Sequence, residues 1–148
     1  MKKLISCLIF LCSFAQAESC YKSEMNLDQL IQCADKGDAT AQYDLGVMYY
    51  HGVGGVSQDY GKAAQWYSKA AEQGHAGAQN NLGLMYENSA GVPQDYVVSY
   101  LWVNLAAIQN YSAALKNRDI ILKKLTPEQA ANAQQRTADW LAKHAQKK

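Results

Sequence analysis

The sequence predicts an all-α protein: a right-handed α/α solenoid of about two helical hairpins, with a half-repeat N-cap and a C-terminal helical cap. Three observations carry that expectation. First, the chain writes one stretch twice. Ala41-Gln-Tyr-Asp-Leu45-Gly46-Val-Met48-Tyr49 returns as Ala78-Gln-Asn-Asn-Leu82-Gly83-Leu-Met85-Tyr86 at an offset of 37, and Gly55-Val56-Ser-Gln58-Asp59-Tyr60 returns as Gly91-Val92-Pro-Gln94-Asp95-Tyr96 at 36. Trp66 and Ala70-Ala71 return as Trp102 and Ala106-Ala107 at the second offset, so the slip of one falls near Tyr50–Gly54. A fixed period of this size marks stacked repeats, each hiding its apolar side against the next. Second, two prolines in 148 residues, with frequent Ala, Gln, Leu and Lys, favour helix. Third, apolar residues recur at amphipathic-helix spacing. The length suits one domain.

Residues 1–17 read as a cleaved signal peptide. Lys2 and Lys3 precede an apolar run, Leu4–Phe14, and Ala15-Gln16-Ala17 fits small-x-small cleavage. Eleven residues are too few to cross a bilayer of roughly 30 Å as a helix. Neither Cys7, too early, nor Cys20, behind the polar Glu18-Ser19, suits lipid attachment. The expected product is periplasmic or secreted, starts near Glu18, and has no membrane span.

Cleavage removes Cys7 and Cys12, leaving Cys20 and Cys33 as each other's only intramolecular partners in an oxidising compartment. A bridge would pin the 18–24 extension to the first helix and contribute about 3 kcal/mol on the chain-entropy argument. A redox couple would need activating spacing such as C-x-x-C, which is absent. The mature chain holds 12 bases against 13 acids, net −1. That hides an asymmetry: residues 18–115 hold four Lys and ten acids, and residues 116–148 hold eight bases and three acids. Neither density nor aromatic interleaving suits a nucleic-acid platform.

The half-repeat is residues 25–37. Leu27, Leu30, Ile31 and Ala34 fall on one stripe of a helix over Met25–Lys36, and Gly37 supplies the left-handed residue that closes it. Asp38 caps the next helix. In the first repeat, 41–77, helix A spans about Ala39–Tyr50, with Ala41, Leu45, Met48 and Tyr49 inward and Gly46 permitting close approach. The Gly52–Gly55 loop lacks the Lys-Ser/Thr and the preceding strand of a phosphate cradle. Asp59 caps helix B, about Tyr60–Gln73, which packs Ala63, Trp66, Tyr67, Ala70 and Ala71. The second repeat, 78–110, follows suit, with helices over about Ala76–Asn88 and Tyr96–Gln109. In residues 111–148, helices over about Ser112–Lys124 and Pro127–Ala145 form the cap, ending in a basic tail. Thr126-Pro127-Glu128-Gln129 is a capping box. The stripe Ala130, Ala133, Thr137, Trp140, Leu141 covers the last apolar face, as stacks require.

Residues 25–110 closely resemble the Sel-one-like repeat (SLR), a longer relative of the tetratricopeptide repeat and here of small secreted bacterial type. The resemblance rests on Ala-Gln-x-x-Leu-Gly-x-Met-Tyr, Gly-Val-x-Gln-Asp-Tyr and Trp66-Tyr67-Ser-Lys69-Ala70-Ala71-Glu-Gln-Gly74-His. It implies protein or peptide binding on a concave surface lined by the A helices. In that geometry Tyr43, Val47, Tyr50 and His51, then Asn80, Leu84, Glu87 and Asn88, face outward into a groove. Tyrosines suit interface anchors, although Tyr43 and Tyr50 also have the option of packing over the neighbouring helix.

No catalytic constellation emerges. His51, His75 and His144 lack zinc-ligand spacing, and no serine sits in a nucleophile elbow. SLR relatives include secreted cysteine-rich proteins credited with β-lactamase activity, but the mature chain has no Ser-x-x-Lys; Ser68-Lys69 and Ser112–Lys116 are wrongly spaced. The expectation is therefore a monomeric, cofactor-free and metal-free interaction module, not an enzyme. An inhibitor or immunity role is what the resemblance suggests. The alternatives are an enzyme acting on cell wall or β-lactam, and a structural element that self-associates through its repeat ends.

Overall fold

Seven helices succeed one another in the computed structural model, which describes residues 19–145, and no strand occurs among the described residues. They are α1 (Leu27–Asp35), α2 (Ala39–His51), α3 (Tyr60–Glu72), α4 (Ala76–Asn88), α5 (Tyr96–Ile108), α6 (Ser112–Leu122) and α7 (Pro127–Ala145). Every expected helix is present, with ends within about two residues, the usual spread of helix boundaries. The expected signal peptide, 1–17, with Cys7 and Cys12, lies outside the described residues.

Local chemistry sets the boundaries. Asp38 accepts from the N–H groups of Thr40 and Ala41, Asp59 from Lys62, and Asp95 from Val97 and Val98, so each carboxylate satisfies donors that a first helical turn leaves free. Burial raises the Asp38 pKa, but the Ser19 hydroxyl and the backbone N–H groups of Ala41 and Thr40 outweigh it and hold the group below the ordinary carboxylate value. Asn26 and Gln29 close a capping box on α1. Thr126 and Gln129 close the one expected on α7. Gly52, at φ 67°, ends α2 in the left-handed region that suits glycine.

Packing alternates. Each hairpin closes on itself (α2 on α3, α4 on α5), and each second helix packs on the next first helix (α1 on α2, α3 on α4, α5 on α6). Leu45, Tyr67, Leu82 and Leu105 are buried at the centre of this stack, with alanines filling the closest approaches. A Cβ on Gly46 would lie 2.5 Å from the Tyr67 ring, and one on Gly83 would lie 2.5 Å from Val103. These two glycines are the sequence repeat's physical purpose at that position: the hairpins close because the atom is missing. Repeated glutamines tie successive units. Gln42 donates to the Ala34 carbonyl and accepts from Gln73, and Gln79 and Gln109 make the same pair of bonds one repeat on.

The two ends are closed differently. At the first, a Cys20–Cys33 disulfide fastens the extension to α1, as expected. Tyr21 donates to Asp44 at 2.6 Å, a bond that raises the phenol's pKa. At the other end, α6 continues the register of α2 and α4. Its N-cap Tyr111 has φ −68° and ψ 111° against −67° and 109° at His75, and Ala114 and Ile121 are buried like Ala78 and Met85. Yet α7 packs chiefly along α5 instead of closing a third hairpin on α6. Trp140 meets Trp102 edge-on at 6.3 Å. Arg118 and Asp119, paired at 3.2 Å, stand on α6 where α4 has Leu82 and Gly83. A charged side chain at the glycine position gives the stack a polar end, as a capping unit needs. Of the expected α7 stripe, Ala133 and Thr137 are buried and Ala130 and Trp140 half-buried, but Leu141 is 39% exposed: α7 runs past the edge of what it covers.

Candidate functional site

The first helices of the units, α2, α4 and α6, lie side by side, α2 touching α4 and α4 touching α6. Each has one edge toward the previous helix, one toward the next and an open strip between. In a helix, residues three, four and seven apart share a face, so one position can be followed through all three. Val47, Leu84 and Ile120 occupy the middle of the strip at offsets of 37 and 36. Val47 and Leu84 are half-buried and Ile120 is 50% exposed, so an apolar row crosses the face.

The seam between α2 and α4 is aromatic. Tyr43 packs above Gly77, where an added Cβ would come within 3.1 Å of its ring. It stacks on His75 with centroids 4.5 Å apart and tilts against Tyr67 at 5.8 Å. Within the first hairpin, Tyr50 packs on Tyr60 at the start of α3 at 5.0 Å. Burial raises the Tyr43 pKa and pushes the Tyr67 phenol up to about 12, although hydrogen bonding to Asn81 opposes both. His75 caps α4 by accepting the Ala78 N–H on Nδ1. Burial lowers its pKa, outweighing the pull of Asp44 and Asp38, and the neutral ring is the form that can accept this bond.

The seam between α4 and α6 is polar. Asn117 donates to Asn80 at 2.9 Å, and the Lys124 ammonium reaches Glu87 at 2.6 Å while lying 5.4 Å from the Tyr96 ring centroid. The hydrogen bond to Glu87 raises the Lys124 pKa.

Four expected groove residues therefore change role. Tyr43 and Tyr50 pack over the neighbouring helix, the option their chemistry left open. Asn80 and Glu87 are buried, at 4% and 9% exposure, because α6 continues the row of first helices and covers that edge of α4. Val47 and Leu84 remain on the strip, and His51 and Asn88 are exposed at the ends of α2 and α4. Ile120 was missed. The signal was available in the register, since carrying the 36-residue offset once more from Leu84 lands on it. A cysteine–carboxylate cluster, Cys20, Cys33 and Asp38, has metal-like proximity, but both sulfurs are spent in the disulfide and offer no thiolate. Two concavities lie off this face. One of about 500 Å³ sits between the extension and α1, and one of about 880 Å³ sits where α7 passes the ends of α3 and α5. No helix among the described residues is long and apolar enough to cross a membrane.

Comparison with known proteins places this arrangement. Residues 39–75 and 76–111 match the family described as Sel1 repeat. The chain is 40% identical over 57 residues to the ERAD-associated E3 ubiquitin-protein ligase component HRD3A of Arabidopsis thaliana, covering 38% of this chain and 8% of that protein. It is 42% identical over 59 residues to a putative sel1-like repeat-containing protein of Acanthamoeba polyphaga mimivirus, covering 40% and 11%. Its fold is similar to that of a protective antigen of uropathogenic Escherichia coli with an SLR fold, at TM-score 0.75 and 36% identity over 81% of this chain and 26% of that one. A Sel1 repeat protein from Oxalobacter formigenes matches at TM-score 0.61 and 38% identity, over 67% and 27%. The chain thus spans only a small part of each of these relatives.

Proposed function

We propose that this chain, which belongs to the Sel1-repeat family, is an interaction module that holds a segment of a partner protein on the face of α2, α4 and α6. The observation that carries the reading is the row Val47–Leu84–Ile120. Three successive first helices present an apolar side chain at one equivalent position, and Ile120 is 50% exposed while its neighbour Ile121 is fully buried. Apolar side chains left partly in water at one position of successive units make a candidate contact strip, and repeat stacks use such surfaces for extended partners. The reading includes export. Lys2-Lys3, the apolar run and Ala15-Gln16-Ala17 support a periplasmic or secreted product, and a disulfide suits an oxidising compartment. An inhibitor or immunity role fits the export signal.

The test is capture of partners from envelope extract by the immobilised protein and by its Leu84→Ser/Ile120→Ser variant. Both positions lie on the strip, so the variant is expected to melt close to the parent. Loss of a captured protein with the melt preserved supports the reading, and equal capture by both proteins refutes it.

A further inference from the structure

The charges around the apolar row are not evenly placed. On α2 and α4 the two positions flanking the strip on its far edge are Tyr43 with Tyr50 and Asn80 with Glu87: Tyr43 stacks on the His75 cap of α4, Tyr50 packs on Tyr60 of α3, and Asn80 and Glu87 are bonded by Asn117 and Lys124. On α6 and at its C-cap the same two positions are Lys116 and Lys123, both exposed, and among the described residues no further first helix packs beside them. They stand four residues before and three residues after Ile120, hence one turn to either side of it on the same face. Lys124 is already neutralised by Glu87. Asp119 points its charge at Arg118. The α6 end of the face is thus a half-exposed apolar side chain bracketed by two free ammonium groups.

Resting on the reading above, we propose that the partner segment is acidic: an apolar residue sits on Ile120 with carboxylates on either side that meet Lys116 and Lys123, while further apolar residues continue across Leu84 and Val47. Opposite charge at the rim sets orientation and selects among partners of equal apolar content, and it makes association salt-dependent. A lysine-flanked segment of the same shape is rejected, since like charges face each other at both turns.

The experiment uses two fluorescein-labelled synthetic peptides, each with leucines spaced three apart, one with its C-terminal leucine flanked by glutamates and the other by lysines. Binding to the full protein is followed by anisotropy at low and high NaCl. The glutamate peptide is expected to bind about tenfold more tightly than the lysine peptide, a preference that shrinks with salt. Lys116→Glu/Lys123→Glu, both at exposed positions, is expected to reverse it. No binding of the glutamate peptide up to roughly 1 mM, or equal binding of both peptides with no effect of the charge reversal, overturns the proposal. If both peptides bind equally and both are lost in Leu84→Ser, the face binds partners and only its acidic preference is wrong. If anionic lipid vesicles or a single-stranded oligonucleotide take the Lys116/Lys123 face while the glutamate peptide does not, the ligand is another anion and the proposal fails.

Discussion

The seam between α2 and α4 and the seam between α4 and α6 join equivalent helices in equivalent register, yet one is built of rings and the other of amides and an ion pair. At the first, Tyr43 fills the space above Gly77 and stacks on the ring that caps α4. At the second, the residue one repeat on from Tyr43 is Asn80, which reaches its neighbour by a hydrogen bond. The difference teaches that the repeat fixes where helices meet but not what holds them there. An inner seam can be packed with large rings because the next unit covers them. The last seam borders the cap, and short polar groups and a half-solvated lysine close it.

Breaking the aromatic seam has the largest expected effect. Tyr43→Ala removes a half-buried ring from contact with His75, Tyr67 and Gly77, and is expected to lower unfolding free energy by about 2–3 kcal/mol in urea titration. A loss under about 0.5 kcal/mol, the size of an ordinary surface change, would mean that the stacking carries little. Asn117→Ala at the polar seam orphans the Asn80 oxygen and is expected to be weaker, about 1 kcal/mol. If it matches Tyr43→Ala, the contrast between the seams collapses.

The pH dependence sharpens the comparison, because the seams fail at opposite ends. His75 has a lowered pKa, so its contribution is full above the ordinary value of 6.5 and is lost as pH falls below it toward the folded value. Protonation also takes the acceptor from the α4 cap, worth about 1 kcal/mol. His75→Asn, which keeps an acceptor and does not titrate, is expected to flatten stability as pH falls below the ordinary histidine value of 6.5. Lys124 has a raised pKa, so its contribution is present below the ordinary 10.5 and is lost as pH rises through the folded value. The smallest effect should be an alkaline loss absent from Lys124→Met, since much of that side chain already meets water. A loss between pH 6.5 and the ordinary carboxylate value of 3.8 that survives in His75→Asn would move the switch elsewhere.

The elements themselves were legible from residues that act locally. Asp38, Asp59 and Asp95 cap whichever helix follows them, Gly52 ends one, and Leu45 with Gly46 names a buried stripe wherever the stack places it. The disulfide followed from elimination once Cys7 and Cys12 are assigned to the expected signal peptide. The candidate face was half legible. Val47 and Leu84 came from the register, but Asn80 and Glu87 looked solvent-facing because a helical wheel shows one helix at a time. Their burial depends on α6 arriving beside α4, more than thirty residues later.

Sequence alone therefore settled the number, order and ends of the helices, because periodicity and capping are decided within a few residues of where they are written. Tertiary structure decided which side chains the water still reaches. Exposure belongs to pairs of surfaces: α6 covers one edge of α4 and leaves its own edge bare, while α7 leaves α6 to lie along α5. No stretch of chain carries that choice by itself.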